Sequence, residues 1–173
     1  NLTDFLQIAG PTQTTNGTST EKPTTKPTAA ATATASPSSA KVQINGKQVT
    51  FDAYSINDNN YFKLRDIAKA LSGTEKQFEV TWNGATKSIE LKPNTAYTAV
   101  GGELATGKAV KQTAKLSSDT VYMNGNVASL TAYTINGNNY FKLRDLGKLL
   151  NFGVDWDGTA KCISIDSSTS YTE

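Results

Sequence analysis

The sequence predicts an α+β fold: two tandem ββαββ repeats, preceded by a disordered linker. Three observations carry that prediction. The octapeptide NNYFKLRD occurs at residues 59–66 and again at residues 138–145. Around it, residues 42–71 laid on residues 121–150 at a spacing of 79 agree at seventeen of thirty positions, and residues 78–91 follow on residues 152–165 at a spacing of 74. Self-similarity of this length marks a repeated structural unit, whereas an active site rarely needs two copies. Finally, residues 11–40 hold ten Thr and four of the five prolines, with no Val, Ile, Leu or aromatic residue. Such a segment cannot bury enough apolar surface to offset the entropy of ordering it.

Taken in order, residues 1–10 (NLTDFLQIAG) resemble one or two turns of helix, capped by Thr3 and stopped at Gly10-Pro11. Ten residues cannot hold a helix alone, so they read as the tail of a preceding domain. They carry neither a basic n-region nor a long apolar h-region, and the chain reads as a processed product or a fragment. Residues 11–40 form the linker, and the first repeat occupies 41–92. Its Val42-Gln43-Ile44 strand ends at Asn45-Gly46, a hairpin signal. A second strand spans residues 49–56. Leu64, Ile67, Ala68 and Leu71 then fall at i, i+3, i+4 and i+7, one face of a helix. The small third residue, Ala68 here and Gly147 in the second copy, predicts close approach to a neighbouring strand. Phe78, Val80 and Trp82 alternate with period two before an Asn83-Gly84 turn, and Ser88–Leu91 returns. Residues 93–120 connect the copies. Residues 121–166 repeat the pattern with Leu143, Leu146, Leu150 and Trp156, and residues 167–173 form a tail. The predicted repeat core is therefore Leu64, Ile67, Leu71, Trp82, Leu143, Leu146, Leu150 and Trp156.

Composition removes whole classes of chemistry. The chain has no histidine and one cysteine, so imidazole-dependent nucleophilic catalysis and the usual zinc and copper ligand sets are missing. A disulfide within the chain is impossible. Seventeen basic against fifteen acidic residues leave a net charge of +2 with no long basic run, which speaks against nucleic acid. No apolar run approaches the roughly 18 residues that span a bilayer. No cofactor and no metal are expected. Asp155-Trp156-Asp157-Gly158 lacks the further ligands of a calcium loop, and the first copy writes Thr81-Trp82-Asn83-Gly84 there; a turn explains both. Glu79, Glu90, Glu103 and Asp155 show no spacing that singles out an acid–base pair.

Within the repeats, Arg65 and Arg144 read as structural arginines, stem on the core and head bonded to a carboxylate or strand carbonyl. The competing reading is a carboxylate or phosphate clamp. Lys63, Asp66 and Lys69 fall on the wetter helix face. Trp82 and Trp156 have two readings, as platforms that stack on glycan rings or, from their register with Phe78 and Val80 and with Phe152 and Val154, as buried or half-buried residues on the core face; the register favours the second. Tyr54, Tyr61, Tyr133 and Tyr140, with Tyr97 and Tyr122, are the candidates for an exposed binding strip. Cys162 aligns with Ser88 and is expected to face solvent.

The pattern of a hairpin, then Tyr-Phe-Lys-Leu-Arg-Asp-(Ile/Leu)-(Ala/Gly)-Lys-x-Leu, then Phe-x-Val-x-Trp-(Asn/Asp)-Gly-x-x-Lys-x-Ile, resembles the copper amine oxidase-like N-terminal domain, also called the stalk domain. Residues 96–104 (AYTAVGGEL) resemble that family's link between copies. The resemblance covers residues 41 to about 166. It implies a twisted antiparallel sheet packed on one helix per copy, in secreted or wall-associated proteins of Gram-positive bacteria. It supplies no catalytic residues, and the copper of the name belongs to a separate catalytic domain. The expected role is a non-enzymatic extracellular stalk or adaptor that spaces, anchors or pairs an attached domain. Its expected partners are a cell-wall or surface protein, or a second copy through self-association. The alternative is a cell-wall carbohydrate-binding module using the tyrosines.

Overall fold

The computed structural model describes residues 31–107 and 109–173. The helix expected over residues 1–10 and residues 11–30 of the linker lie outside the described residues. The end of the linker is described, and it is ordered: Thr32–Pro37 forms strand β1. This corrects the reading of 11–40 as one disordered segment. Threonine favours extended backbone, and the fully buried Ala35 is small enough to point into a narrow interior.

The first copy continues as β2 (Lys41–Ile44), β3 (Lys47–Val49), β4 (Tyr54–Ile56), β5 (Asn59–Lys63), α1 (Leu64–Leu71), β6 (Phe78–Asn83) and β7 (Ser88–Pro93). The second runs β8 (Gln112–Leu116), β9 (Thr120–Met123), β10 (Asn126–Ala128), β11 (Ala132–Ile135), β12 (Asn138–Lys142), α2 (Leu143–Leu150), β13 (Gly153–Asp157) and β14 (Cys162–Asp166). Each copy thus holds more strands than ββαββ. The strand expected over 49–56 is broken between β3 and β4, and NNYFK is itself a strand. Three Asn-Gly hairpin turns adopt positive φ at each central residue, 51° and 82° at Asn45-Gly46, 52° and 80° at Asn124-Gly125 and 50° and 79° at Asn136-Gly137, the type I′ geometry that matches strand twist.

Among the described residues three sheets form, and none belongs to one copy. A closed six-stranded barrel runs β1-β4-β5-β12-β11-β8. At its seam β5 and β12 pair antiparallel with Phe62 opposite Phe141, two residues that are equivalents in the repeat. Across the barrel, β1 and β8 pair with Thr34 opposite Thr113, again equivalents. An internal two-fold axis therefore passes through both pairs. The other sheets, β10-β9-β7-β6 and β13-β14-β2-β3, are formed by exchange. The first hairpin of each copy lies parallel to the last strand of the other, Ile163 beside Val42 and Ile89 beside Val121. These sheets are mixed, where one antiparallel sheet per copy was expected.

Two cores follow from the alternation along β5 and β12. Tyr61 and Tyr140 point into the barrel with Tyr54, Tyr133, Ile56, Ile135, Ala35 and Ala114. Phe62 and Phe141 point the other way, into a core shared with both helices. Leu64, Ile67, Leu71, Leu143, Leu146 and Leu150 are all buried there, each contributing about 1.5–3 kcal/mol. A side chain at Gly147 would place its Cβ 2.8 Å from Val154 Cγ2 and 3.3 Å from the Phe152 carbonyl oxygen, so the helix and β13 are in close contact at that point.

Candidate functional site

The tyrosines are not a surface. Tyr54, Tyr61, Tyr133 and Tyr140 are at most 4% exposed, stacked edge to face as Tyr54–Tyr140 and Tyr61–Tyr133 at 5.4 and 5.6 Å. Burial, with Tyr133 and Asp145 nearby, pushes the Tyr61 hydroxyl up to about 12. Burial also raises Tyr140, whose hydroxyl donates to Asp52 Oδ2 at 2.9 Å. Because β4, β5, β11 and β12 close into a barrel, the face read as open is interior. Tyr97 is also buried and Tyr122 half-buried. Cys162 is buried too, because its strand lies between β13 and β2 instead of at an edge.

The tryptophans reverse in the opposite direction. Trp82 and Trp156 are each 49% exposed, although they share a strand face with buried Phe78 and Val80, or with Val154 and its neighbours. The register was read correctly, but β6 and β13 run past the edge of the core, and the last rung of each stands at its rim. Each indole lies over its own Asx-Gly turn, with Nε1 3.4 Å from a Cβ built on Gly84 and 3.5 Å from one built on Gly158. The turns are held by Asn83 Oδ1, accepting from the Ala85 and Thr86 N–H groups, and by Asp157 Oδ1, accepting from Thr159 and Ala160. Asp157 thus serves the turn.

Below each indole is a groove. One, of about 430 Å³, is lined by Lys63, Arg65, Val80, Trp82, Ile89, Asp119, Asn138 and Asn139 among others. The other, of about 340 Å³, is lined by Asp58, Asn59, Asn60, Lys142, Arg144, Val154, Asp155, Trp156 and Ile163 among others. The internal two-fold exchanges them: lysine, arginine, valine, tryptophan, isoleucine and the asparagine pair coincide. Each groove combines both copies, since the asparagines come from one repeat and the tryptophan from the other.

The polar atoms are fixed in place. Asn139 Nδ2 donates to Asp119 Oδ2 at 3.1 Å and its Oδ1 accepts from Thr134; Asn60 Oδ1 accepts from Ser38 Oγ at 2.9 Å. Arg65 Nη1 and Arg144 Nη1 each donate to a strand carbonyl, of Val80 and of Val154, at 3.5 Å. Arg65 is held further: Nη1 donates to Tyr97 Oη at 3.2 Å, and the guanidinium lies 6.0 Å from the Tyr97 ring centroid. Tyr97 in turn donates to Glu103 Oε2 at 2.6 Å. That bond, with the Val100 and Gly101 N–H groups, holds the Glu103 carboxyl down at about 2. Arg144 has no such support among the described residues and is exposed. The Lys63 ammonium lies 3.7 Å from Asp52 Oδ2, whereas Lys142 makes no salt bridge among the described residues. Asp66, expected on the wet face, is 1% exposed beneath the 97–104 segment.

The copper amine oxidase N-terminal domain model matches residues 43–165, most of the chain. The chain belongs to that family. No curated protein and no solved structure matches it. The copper amine oxidase N-terminal domain is the non-catalytic part of those enzymes, and the match spans both repeats. No group of three or more His, Cys, Asp or Glu side chains is placed to hold a metal ion among the described residues. What the grooves offer chemically is a flat indole face beside fixed hydrogen-bonding groups, in duplicate.

Proposed function

We propose that this chain is a non-catalytic extracellular stalk or adaptor module, which spaces, anchors or pairs an attached domain at the surface of a Gram-positive cell. Its contacts there are with wall or surface proteins. The observation that carries this reading is the placement of β1, the strand formed by the end of the Thr/Pro-rich segment. It is inserted between β4 and β8 in a closed barrel, residues 32–35 paired with β8 and Ser36 and Pro37 with β4, so freeing β1 has to break both ladders in turn. A strand at an open sheet edge is held by one neighbour only. At the other end β14 is equally enclosed, between β13 and β2. Hairpin exchange makes the two repeats a single load-bearing body.

Pulling single molecules between residues 31 and 173 tests the reading. A stalk is expected to unfold in one cooperative high-force event. Stepwise release of the repeats at low force would overturn it.

A further inference from the structure

We propose that the two tryptophan grooves are equivalent binding sites for β-linked pyranose oligosaccharide, one on each side of the internal two-fold axis. This goes beyond the stalk reading and does not depend on it, since it concerns what the body binds and not what it carries.

Four observations lead there. A half-exposed indole keeps a broad, flat apolar face in water beside its N–H donor. Here it is repeated at the same exposure, 49%, at both equivalent positions. The indoles are the apolar wall of grooves whose volumes, about 430 and 340 Å³, suit a small ligand. The remaining lining mixes donors and acceptors: a lysine, an arginine, two asparagines and at least one aspartate in each groove. A sugar ring with equatorial hydroxyls has that same pairing, a flat C–H face and a rim of groups that both donate and accept. Acidic and basic residues together in each groove disfavour a polyanion. Several of these polar groups are already oriented by bonds to neighbouring residues, which lowers the entropy cost of binding.

The geometry also sets valency. The asparagines of one groove sit at the start of β5 and the lysine of the other at its end, four residues away, about 13 Å at the usual rise. The same holds on β12 with directions reversed. Two sugar chains would therefore be held on one rigid body with opposite polarity, and a wall polymer would be gripped at two points.

The sequence contains two tryptophans, so indole fluorescence reports on the grooves alone. The experiment titrates the whole chain with cellohexaose, with chitohexaose and, as the peptide counterpart, with a decamer of proline. The expected result is a saturable change in emission with at least one hexasaccharide and a calorimetric stoichiometry of two. Trp82→Ala and Trp156→Ala should each reduce that to one, and the double variant to none. Asn138→Ala should weaken the Trp82 groove about tenfold, one hydrogen bond lost to a bound ligand. Circular dichroism melts of each variant confirm the fold, and Trp→Leu replaces Trp→Ala if a variant melts early. No change with either sugar up to about 10 mM, a tenfold excess over millimolar affinity, overturns the proposal. So does a change with the proline decamer alone, or sugar binding that survives in the double variant.

Discussion

Each letter of NNYFKLRD meets a different neighbour. Asn59 and Asn60 line a groove, Tyr61 fills the barrel, and Phe62 crosses to the helical core to sit opposite its own equivalent. Lys63 faces the other groove, Leu64 starts the buried helix face, and Arg65 bonds a strand carbonyl. Asp66 is the residue with the largest consequence. Its Oδ1 accepts from the Leu104 N–H at 2.8 Å, while Oδ2 is buried with no hydrogen-bond partner among the described residues. Burial is the main reason its carboxyl sits above the ordinary 3.8; Asp52 and Glu103 add to the rise, and the Leu104 bond and Lys63 oppose it. The folded chain therefore keeps this proton to higher pH than the unfolded chain does. The resulting stabilisation is full below about pH 3.8 and is lost as pH rises through the raised value. Asp66→Asn preserves an acceptor for Leu104 and removes the titration. Urea unfolding of both proteins should show the variant gaining on the native chain between pH 3.8 and neutrality. A difference independent of pH would mean that Asp66 does not titrate differently on folding.

At the scale of elements, the helices and the first hairpin turn of each copy were legible, because apolar spacing and Asn-Gly turns are local signals. Strands β1 and β8 were not. Their buried residues are alanines, Ala35 and Ala114, which leave no hydrophobic pattern in a Thr-rich stretch. One trace was present: Thr34-Ala35 and Thr113-Ala114 stand 79 residues apart, the spacing of the repeat. The tryptophans were misplaced for a related reason, since alternation assigns a face but not where the core beneath it ends. The same limit hid the grooves, whose lining residues come from strands distant in sequence. The small residue on the helix face was legible and gives a prediction of definite sign. On an exposed helix Gly→Ala would gain up to about 1 kcal/mol. At Gly147 the added methyl meets Val154, Tyr171 and the Phe152 carbonyl at 2.8, 3.2 and 3.3 Å. Forcing a methyl into packing that tight costs roughly 1–3 kcal/mol, so Gly147→Ala should lower stability in urea melts. A stabilised variant would show that α2 and β13 can separate at no cost.

For the whole molecule, the two-fold axis matters more than either repeat. No local signal announced that hairpin β2-β3 would pair with β14, because hydrophobic patterns define faces and leave partners open. Once the exchange is known, it dictates what one repeat does alone. A chain of residues 31–95 would expose the barrel edges of β1 and β5, the free side of β7 and an unpaired first hairpin. Its own equivalents are the surfaces that would cover them. Phe62 opposite Phe141 becomes Phe62 opposite a second Phe62, and Thr34 opposite Thr113 becomes Thr34 opposite a second Thr34. The β2-β3 hairpin would cross to the other molecule and lie beside its β7. A unit of that size buries too little surface to stand alone, and a two-fold interface is self-complementary by construction. The fragment should therefore fold only as a dimer, with a melting temperature that rises with concentration. Light scattering after gel filtration decides the matter. A folded monomer would mean that the repeats are independent units merely placed side by side. A folded dimer would mean that the chain is a covalently joined pair, in which both grooves exist only because each copy completes the other.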